Sequence, residues 1–206
     1  MPRPSPPPRA ADGRLGRESG ARATVHQIKV VLWGVRPTIW RRLQVESTST
    51  LRRLHAVLQT AFAWEDCHLH EFQVGSRRFG KPHIDDGFVF PSEAADEAKV
   101  SLQEVARRKG AKLLYVYDFG DTWEHEILVE DVLPADPGTR YPRCLDGRRA
   151  APPEDCGGVW GYAELLRVLG DPAHEEHAER REWLGDDFDP EFFDLAAVNR
   201  ALTRVR

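Results

Sequence analysis

Apolar and polar residues alternate along the first part of this chain. Ile28, Val30 and Leu32 alternate with Gln27, Lys29 and Val31, and a second stretch shows the same period of two. Such alternation is typical of strands with one buried face. The pattern predicts strands over residues 25–33 and 39–46, which a break rich in Gly and Pro joins as a hairpin.

The period then changes to that of a helix. Leu51, Leu54 and Leu58 recur at helical spacing after a Ser/Thr run that offers several N-cap residues. These features predict an amphipathic helix over residues 51–63. We expect its apolar side to pack on one face of the sheet.

Four further strands, one of them short, are predicted in the middle of the chain. Residues 68–74 form a strand that places His68 and His70 on the same face, because side chains alternate along a strand. A turn at Gly75 leads from it into a short strand that ends at residue 79. Residues 112–118 and 123–130 then form a hairpin around the turn FGDT.

The remaining segments are predicted as loops and helices. Residues 80–99 and 134–158 are polar or rich in Gly and Pro, which indicates surface loops. Ser101 and Glu104 fit a capping box, so a short helix should run to about Lys109. The later helices are predicted at residues 162–169, 174–184 and 194–205.

The order of these elements indicates an α+β fold. It comprises a mixed, mainly antiparallel sheet with a β-grasp-like first half, followed by a helical extension from about residue 160. Residues 1–22 contain five prolines and five arginines with almost no large apolar side chain, so we expect a disordered tail. Residues 23–206 are predicted to be a single domain.

Charge and composition exclude several functional classes. The chain carries a net charge of −4; its first 22 residues have five arginines against two acidic residues, which leaves −7 for the remainder. An acidic body is unsuited to non-specific nucleic-acid binding. The sequence contains no apolar run of membrane-spanning length and only three cysteines, so we expect a cytoplasmic protein without membrane contact.

Several long motifs carry a resemblance to a known family. They are IWRRLQV (39–45), LHAVLQTAFAW (54–64), HLHEF (68–72), YDFGDTWEHEI (117–127), YPRCLDG (141–147), PPEDCGG (152–158) and FDPEFFDLAAVNRAL (188–202). With these motifs the chain resembles the plasmid pRiA4b ORF-3-like family. The resemblance implies a bacterial protein of unknown function associated with plasmids or insertion elements. Some family members are labelled resolvase-like or insertion-element passenger proteins.

Three of these motifs concentrate polar groups that a fold tends to bring together, because a buried imidazole or carboxylate needs a partner. We therefore predict that His70, His125, Asp121 and Asp155 line one cleft beside the FGDT hairpin. A structural hydrogen-bond network is an equally good interpretation. The full set of candidate binding residues is His68, His70, Asp118, Asp121, Trp123, His125 and Asp155.

The same motifs suggest a candidate zinc site. Imidazole and thiolate groups are suitable zinc ligands, and His70, His125, Cys144 and Cys156 provide four. The chain lacks a C-x-x-C pair, however, so the cysteines also fit small buried packing residues and the histidines fit hydrogen-bonded core residues. No cofactor is predicted, and zinc is the candidate metal. Cys67 lies outside the shared motifs and is interpreted as having no role in the site. His55 is interpreted as a packing residue.

Two functions of different classes remain open. The favoured one is a non-enzymatic binding or accessory module for a protein or nucleic-acid partner, because no catalytic motif is present and no catalytic residue can be assigned. The alternative is a metal-assisted hydrolase that uses His68, His70 and His125 with a Cys or Asp. The positions of these side chains in the fold discriminate between the two.

Overall fold

One large β-sheet organises the molecule, and its inner face carries most of the buried apolar side chains. This computed structural model describes residues 22–81, 84–85, 88–89, 94–185 and 187–205. The predicted tail therefore lies outside the described residues except for Arg22. Part of the loop predicted at 80–99 lies outside them as well.

Ten strands are present in the described part of the chain. They are β1 (Thr24–Leu32), β2 (Trp40–Glu46), β3 (His70–Val74), β4 (Arg77–Gly80), β5 (Ile84–Asp85), β6 (Phe88–Val89), β7 (Ala95–Asp96), β8 (Lys112–Tyr117), β9 (Trp123–Pro134) and β10 (Arg143–Arg148). Eight of them form the main sheet in the spatial order β10-β2-β1-β9-β8-β3-β4-β7, and β5 pairs with β6. Only β4 and β7 pair in parallel within this described sheet, so the predicted mainly antiparallel α+β fold is confirmed.

The helices follow the strands or connect them. They are α1 (Leu51–Phe62), a 3-10 turn (Glu97–Lys99), α2 (Leu102–Val105), α3 (Gly158–Leu169), α4 (His177–Leu184) and α5 (Leu195–Leu202). Within the described ranges, none of the helices has the length and apolar character needed to cross a bilayer.

Register and helix packing agree with the pattern of apolar residues. The hairpin of β1 and β2 and the hairpin of β8 and β9 are both formed, and the latter pairs Tyr115 with His125. Thr50 caps α1 by accepting a hydrogen bond from the Arg53 amide. The same helix lies on the inner face of the sheet, where His55 and Gln59 contact the Tyr115 hydroxyl.

The capping box and the two loop predictions need correction. Glu104 accepts hydrogen bonds from the amide and hydroxyl of Ser101 as expected, but α2 ends at Val105 and not near Lys109. It ends early because the chain returns to the sheet, where the Gly110 amide donates to the carbonyl of Val129. The predicted loops also contain β7 and β10, whose pairing depends on distant strands and leaves little periodicity in the sequence.

The late helices are present with shifted ends. The first of them, α3, begins at Gly158, four residues before the prediction, because the Asp121 carboxylate accepts a hydrogen bond from the Gly157 amide. Gly158 itself has a φ of +67°, and a Cβ there would lie 2.5 Å from the Asp121 carbonyl oxygen. Only glycine suits such an approach. The β8–β9 turn and α3 are therefore held together through backbone contacts.

Candidate metal-binding site

Polar groups from three of the motifs meet beside the β8–β9 turn. His68 lies just before β3, Asp118 follows β8, and Glu154 and Asp155 lie between β10 and α3. The His68 Nε2 atom is 3.2 Å from Asp155 Oδ1, 3.7 Å from Asp118 Oδ2 and 3.9 Å from Glu154 Oε2. We call these four residues the motif cluster.

Local backbone structure and hydrogen bonds hold the carboxylates of the motif cluster in place. Asp118 and Asp155 have φ angles of 56° and 55°, in the left-handed region that Asp tolerates better than most residues. Asp118 Oδ1 also accepts a hydrogen bond from the Gly120 amide. Glu154 Oε1 accepts hydrogen bonds from the Tyr117 hydroxyl and the Glu65 amide, which fixes its carboxylate beside His68.

Two polar atoms of the motif cluster are buried without a hydrogen-bond partner. They are His68 Nε2 and Glu154 Oε2, which face each other. Burial, a hydrogen bond with Cys67 and the hydrogen bond that the Tyr117 hydroxyl donates to Glu154 raise the pKa of Tyr117 far above its ordinary value, so its hydroxyl stays protonated. The cluster therefore combines one imidazole with three carboxylates whose charge is not matched by a hydrogen-bonded cation among the described residues.

A second polar group forms around His70, at the start of β3. The rings of His55 and His70 stack with centroids 3.4 Å apart and an interplanar angle of 5°. His55 Nε2 is 2.8 Å from Asp66 Oδ1, and His70 Nε2 is 2.8 Å from Glu97 Oε2. Burial, followed by the proximity of His70, lowers the pKa of His55. We call His55, Asp66 and His70 the stacked-histidine site.

Both groups border an open cavity of about 760 Å³. Its wall includes His68 and Cys67 from the chain segment before β3, and the stacked-histidine site. The side chains of Arg52 and Lys81 line the same space. Asp66, Glu71 and Glu97 line it as well, so the imidazoles face solvent across a wall of mixed charge.

The structure brings together only some of the residues predicted to share a cleft. His68, Asp118 and Asp155 meet, and His70 lies in the cavity wall. His125 and Trp123 are fully buried, with His125 packed edge-on against Phe62 and Trp64. The predicted single cleft of His70, His125, Asp121 and Asp155 is thus not formed.

Asp121 has a different role from the one proposed for a cleft residue. Its side chain accepts a hydrogen bond from the Gly157 amide at the start of α3. It lines another cavity, which also contains the exposed Trp33 and Trp160. The geometry of the β8–β9 turn directs the Asp121 side chain toward α3 and the Asp118 side chain toward His68.

The predicted zinc ligand set does not converge. Among the described residues, no group of three potential metal ligands includes His125, Cys144 or Cys156. Cys144 lies on β10 at the far edge of the sheet, where burial raises the pKa of its thiol. Burial also raises the pKa of Cys156 to about 12, so both cysteines are better described as packing residues.

The sequence did not identify three residues of these sites as candidates, His55, Asp66 and Glu154, nor Glu97, which contacts His70. His55 occupies the apolar side of α1 and resembles a packing histidine. Glu154 belongs to PPEDCGG and could have been found there, directly beside Asp155. Asp66 and Glu97 lie outside the motifs, and no feature of the sequence distinguishes them from surface acids.

Comparison with known proteins agrees with the motifs. The profile of the family described as plasmid pRiA4b ORF-3-like protein matches residues 24–197. The uncharacterized protein y4hQ of Sinorhizobium fredii (strain NBRC 101917 / NGR234) is 43% identical over 182 residues, which cover 87% of this chain and 91% of that protein.

A solved structure has the same fold. The crystal structure of a protein of unknown function from Methanosarcina mazei Go1 is 41% identical, with a TM-score of 0.75. The match covers 85% of this chain and 97% of that one. Sequence profile, full-length relative and solved fold thus agree, and the chain belongs to the plasmid pRiA4b ORF-3-like family.

Proposed function

We propose that this protein binds a divalent metal ion at the motif cluster, with His68, Asp118, Glu154 and Asp155 as ligands. One observation carries the proposal: His68 Nε2 and Glu154 Oε2 are buried, unpartnered and 3.9 Å apart. A buried polar atom without a partner costs roughly 1–3 kcal/mol. A metal ion between the two atoms removes that cost for both.

A protonated His68 is the alternative source of positive charge. It accounts poorly for the arrangement, because the three carboxylate contacts of His68 Nε2 lack hydrogen-bond geometry. A metal ion requires no donor hydrogen and accepts ligand atoms from several directions. One nitrogen and three carboxylate oxygens form an oxygen-rich set, which suits Mn²⁺ and still accepts Zn²⁺.

Mn²⁺ binding to the metal-free full-length protein tests this proposal. In Asp155→Asn the carboxylate is lost, while Asn tolerates the left-handed backbone at this position. We expect Mn²⁺ affinity, measured by calorimetry and electron paramagnetic resonance, to fall at least tenfold. Asp187→Asn, at an exposed position outside the cluster, is the matched control. The proposal is contradicted if the wild type, Asp155→Asn and Asp187→Asn all bind Mn²⁺ with one affinity and all bind Zn²⁺ with one affinity.

Metal-assisted hydrolysis is a second candidate, favoured by the cavity beside the motif cluster. A metal ion with an open coordination position lowers the pKa of a bound water and makes it a nucleophile near neutral pH. Arg52 and Lys81 would contact an anionic substrate in this cavity, whose wall also contains the carboxylates of Asp66, Glu71 and Glu97. In such a hydrolase His68 would be a metal ligand and His70 would line the substrate cavity. His125 has no role because it is buried in the core.

Two chromogenic probes distinguish a hydrolase from a binding module. We expect the Mn²⁺-loaded protein to cleave bis(p-nitrophenyl) phosphate faster than the neutral ester p-nitrophenyl acetate. Asp155→Asn should lower the phosphodiester rate at least tenfold, and Asp187→Asn should leave it unchanged. Mn²⁺ binding without turnover of either probe contradicts hydrolysis and supports a non-enzymatic metal-binding module.

A further inference from the structure

Two exposed tryptophans border one cavity of about 790 Å³, at the end of β1 and the start of α3. Trp33 is 65% exposed and Trp160 is 87% exposed. Large aromatic side chains gain free energy on burial, so two of them at one cavity indicate a surface that binds another chain segment. We call this cavity, which Asp121 and Glu124 also line, the tryptophan cleft.

Backbone packing holds the two sides of the tryptophan cleft together. The Trp33 amide donates a hydrogen bond of 2.8 Å to the carbonyl of Glu124 on β9. Gly34 has a φ of +79°, and a Cβ at that position would lie 3.2 Å from the Val159 side chain. The segment that carries Trp33 therefore lies against the residue that precedes Trp160.

The charged groups of the tryptophan cleft favour a cationic ligand. Two carboxylates, those of Asp121 and Glu124, line it together with one arginine, Arg36. In the described part of the chain, neither a hydrogen bond nor an ion pair engages the Glu124 carboxylate, and Arg36 pairs with neither acid. Guanidinium groups pair with carboxylates and stack on aromatic rings. A segment that contains arginine therefore fits this cleft.

The N-terminal segment of this chain has the matching chemistry. Residues 2–9 read PRPSPPPR, with five prolines, two arginines and no acidic residue. Pro4 and Pro7 have the P-x-x-P spacing, and Arg9 follows two residues later. Sequences of this kind favour the polyproline II helix and bind to grooves lined by aromatic side chains.

The chain that follows this segment is long enough to reach the tryptophan cleft. Trp33 lies at the far end of β1, whose nine residues span about 30 Å. Residues 10–22 are thirteen residues, which extend over at most about 45 Å. The distance along β1 is therefore shorter than the connecting chain.

We propose that residues 2–9 dock into the tryptophan cleft of the same chain as a polyproline II segment, with prolines against Trp33 and Trp160 and an arginine beside Glu124. The disorder expected from the composition of the tail is compatible with docking, because a segment without a core of its own can become ordered on a surface that supplies one. A short tether gives such a segment an effective concentration of roughly millimolar, so weak contacts suffice.

Fluorine NMR of the full-length protein, labelled with 5-fluorotryptophan, tests the docking. The chain contains six tryptophans, and Trp33→Phe and Trp160→Phe assign the two signals of interest. The tail variant carries three substitutions: Pro6→Ala, Pro7→Ala and Pro8→Ala. We expect the signals of Trp33 and Trp160 to shift in the tail variant and the other four to stay in place. Gly16→Ala, outside the proline segment, is the matched control and should shift none of them.

A synthetic peptide with the sequence of residues 1–12 measures the affinity of the cleft. The tethered segment competes with the peptide at a roughly millimolar effective concentration, so the peptide should bind the tail variant at least about tenfold more tightly than the wild type. Adding Trp160→Ala to the tail variant should abolish peptide binding. Trp183→Ala on α4 is the matched control and should leave it unchanged. Thermal melts show whether each variant is folded.

Three outcomes overturn the proposal. The first is a tail variant whose Trp33 and Trp160 signals match those of the wild type. The second is a peptide affinity that neither the tail substitutions nor Trp160→Ala changes. The third is a wild-type spectrum that depends on protein concentration, which assigns the segment to a second copy of the chain. The tryptophan cleft shares no described residue with the motif cluster, so Mn²⁺ affinity should be equal in all these variants and the proposed function is tested separately.

Discussion

His70 and His125 lie on the same inner face of the sheet, two strands apart, yet they occupy different environments. His125 is 0% exposed, its Nδ1 donates to the backbone carbonyl of Trp123, and aromatic rings cover it. His70 stacks on His55 beside an open cavity. Both belong to motifs of the family. Membership of a motif therefore does not separate a structural histidine from a candidate ligand.

The surroundings of each ring explain the difference. Around His125 the polar partners are backbone carbonyls, which sheet formation places there in any case. Around His70 the partner is the carboxylate of Glu97, and the polar groups nearest to His68 Nε2 are carboxylates from loops and turns, which have no role in sheet pairing. The aromatic core and the cavity region should therefore respond differently to substitution, one in stability and the other in metal binding.

The largest expected effect is on stability, in the aromatic core. Trp123→Ala removes a fully buried ring and should lower the free energy of unfolding by about 4 kcal/mol. Urea unfolding followed by circular dichroism measures the loss. A loss below about 1 kcal/mol would show that this region is loosely packed. The aromatic core and the cavity region would then not differ in how substitution affects stability.

Acid should expose the structural role of His125. Burial lowers the pKa of His125 from 6.5 to about 4, so between these values the unfolded chain binds a proton that the folded chain does not. Stability therefore falls as the pH decreases from 6.5 to 4. The wild type should lose about 3 kcal/mol more than His125→Phe between pH 7 and pH 4. Urea titrations at several pH values measure this; parallel losses in both proteins contradict the assignment.

The three cysteines should report the same contrast through their reactivity. Cys67 is exposed in the cavity wall, whereas Cys144 is buried and the pKa of Cys156 is raised to about 12 by burial. Because the thiolate is the reactive form, iodoacetamide at pH 8 should alkylate Cys67 at least a hundredfold faster than Cys144 or Cys156. Mass spectrometry of a time course identifies each site. Equal rates would place Cys156 in an open environment.

The smallest expected effect is on stability, at the motif cluster. Asp155 is 72% exposed in its side chain, so Asp155→Asn should change the unfolding free energy by no more than about 0.5 kcal/mol. The same urea assay in the absence of metal measures it. A loss of several kcal/mol would mean that the cluster is a structural element like the aromatic core.

Much of the fold can be predicted from local patterns. Period-two alternation located β1, β2, β8 and β9, and the helical period located α1, because each pattern depends on residues close in sequence. The pairing of β8 with β9 followed from a short turn. Two strands of the main sheet were missed: β10 pairs with β2 about a hundred residues earlier, and β7 is only two residues long. The two-residue strands β5 and β6 were missed as well. Such pairing is decided by distant partners.

The candidate site was predicted only in part, for a related reason. The sequence identified His68, Asp118 and Asp155 as polar residues of unusual motifs, and these do meet. It grouped His125 with them, because alternation shows which residues share a face but not how deep in the core each one lies. It also left out Asp66 and Glu97, whose surroundings are formed by other segments of the chain.

By itself, the sequence determined the family, the strand and helix periods and the set of polar residues available for chemistry. These properties are local, since they depend on residue type and near-neighbour spacing. The tertiary structure alone decided that His125 is sealed under Phe62 and Trp64, that His55 stacks on His70, and that Asp66 and Glu97 join them. The physical reason is that burial and side-chain convergence depend on contacts between segments far apart in the chain, and these contacts exist only after the sheet and α1 have packed together.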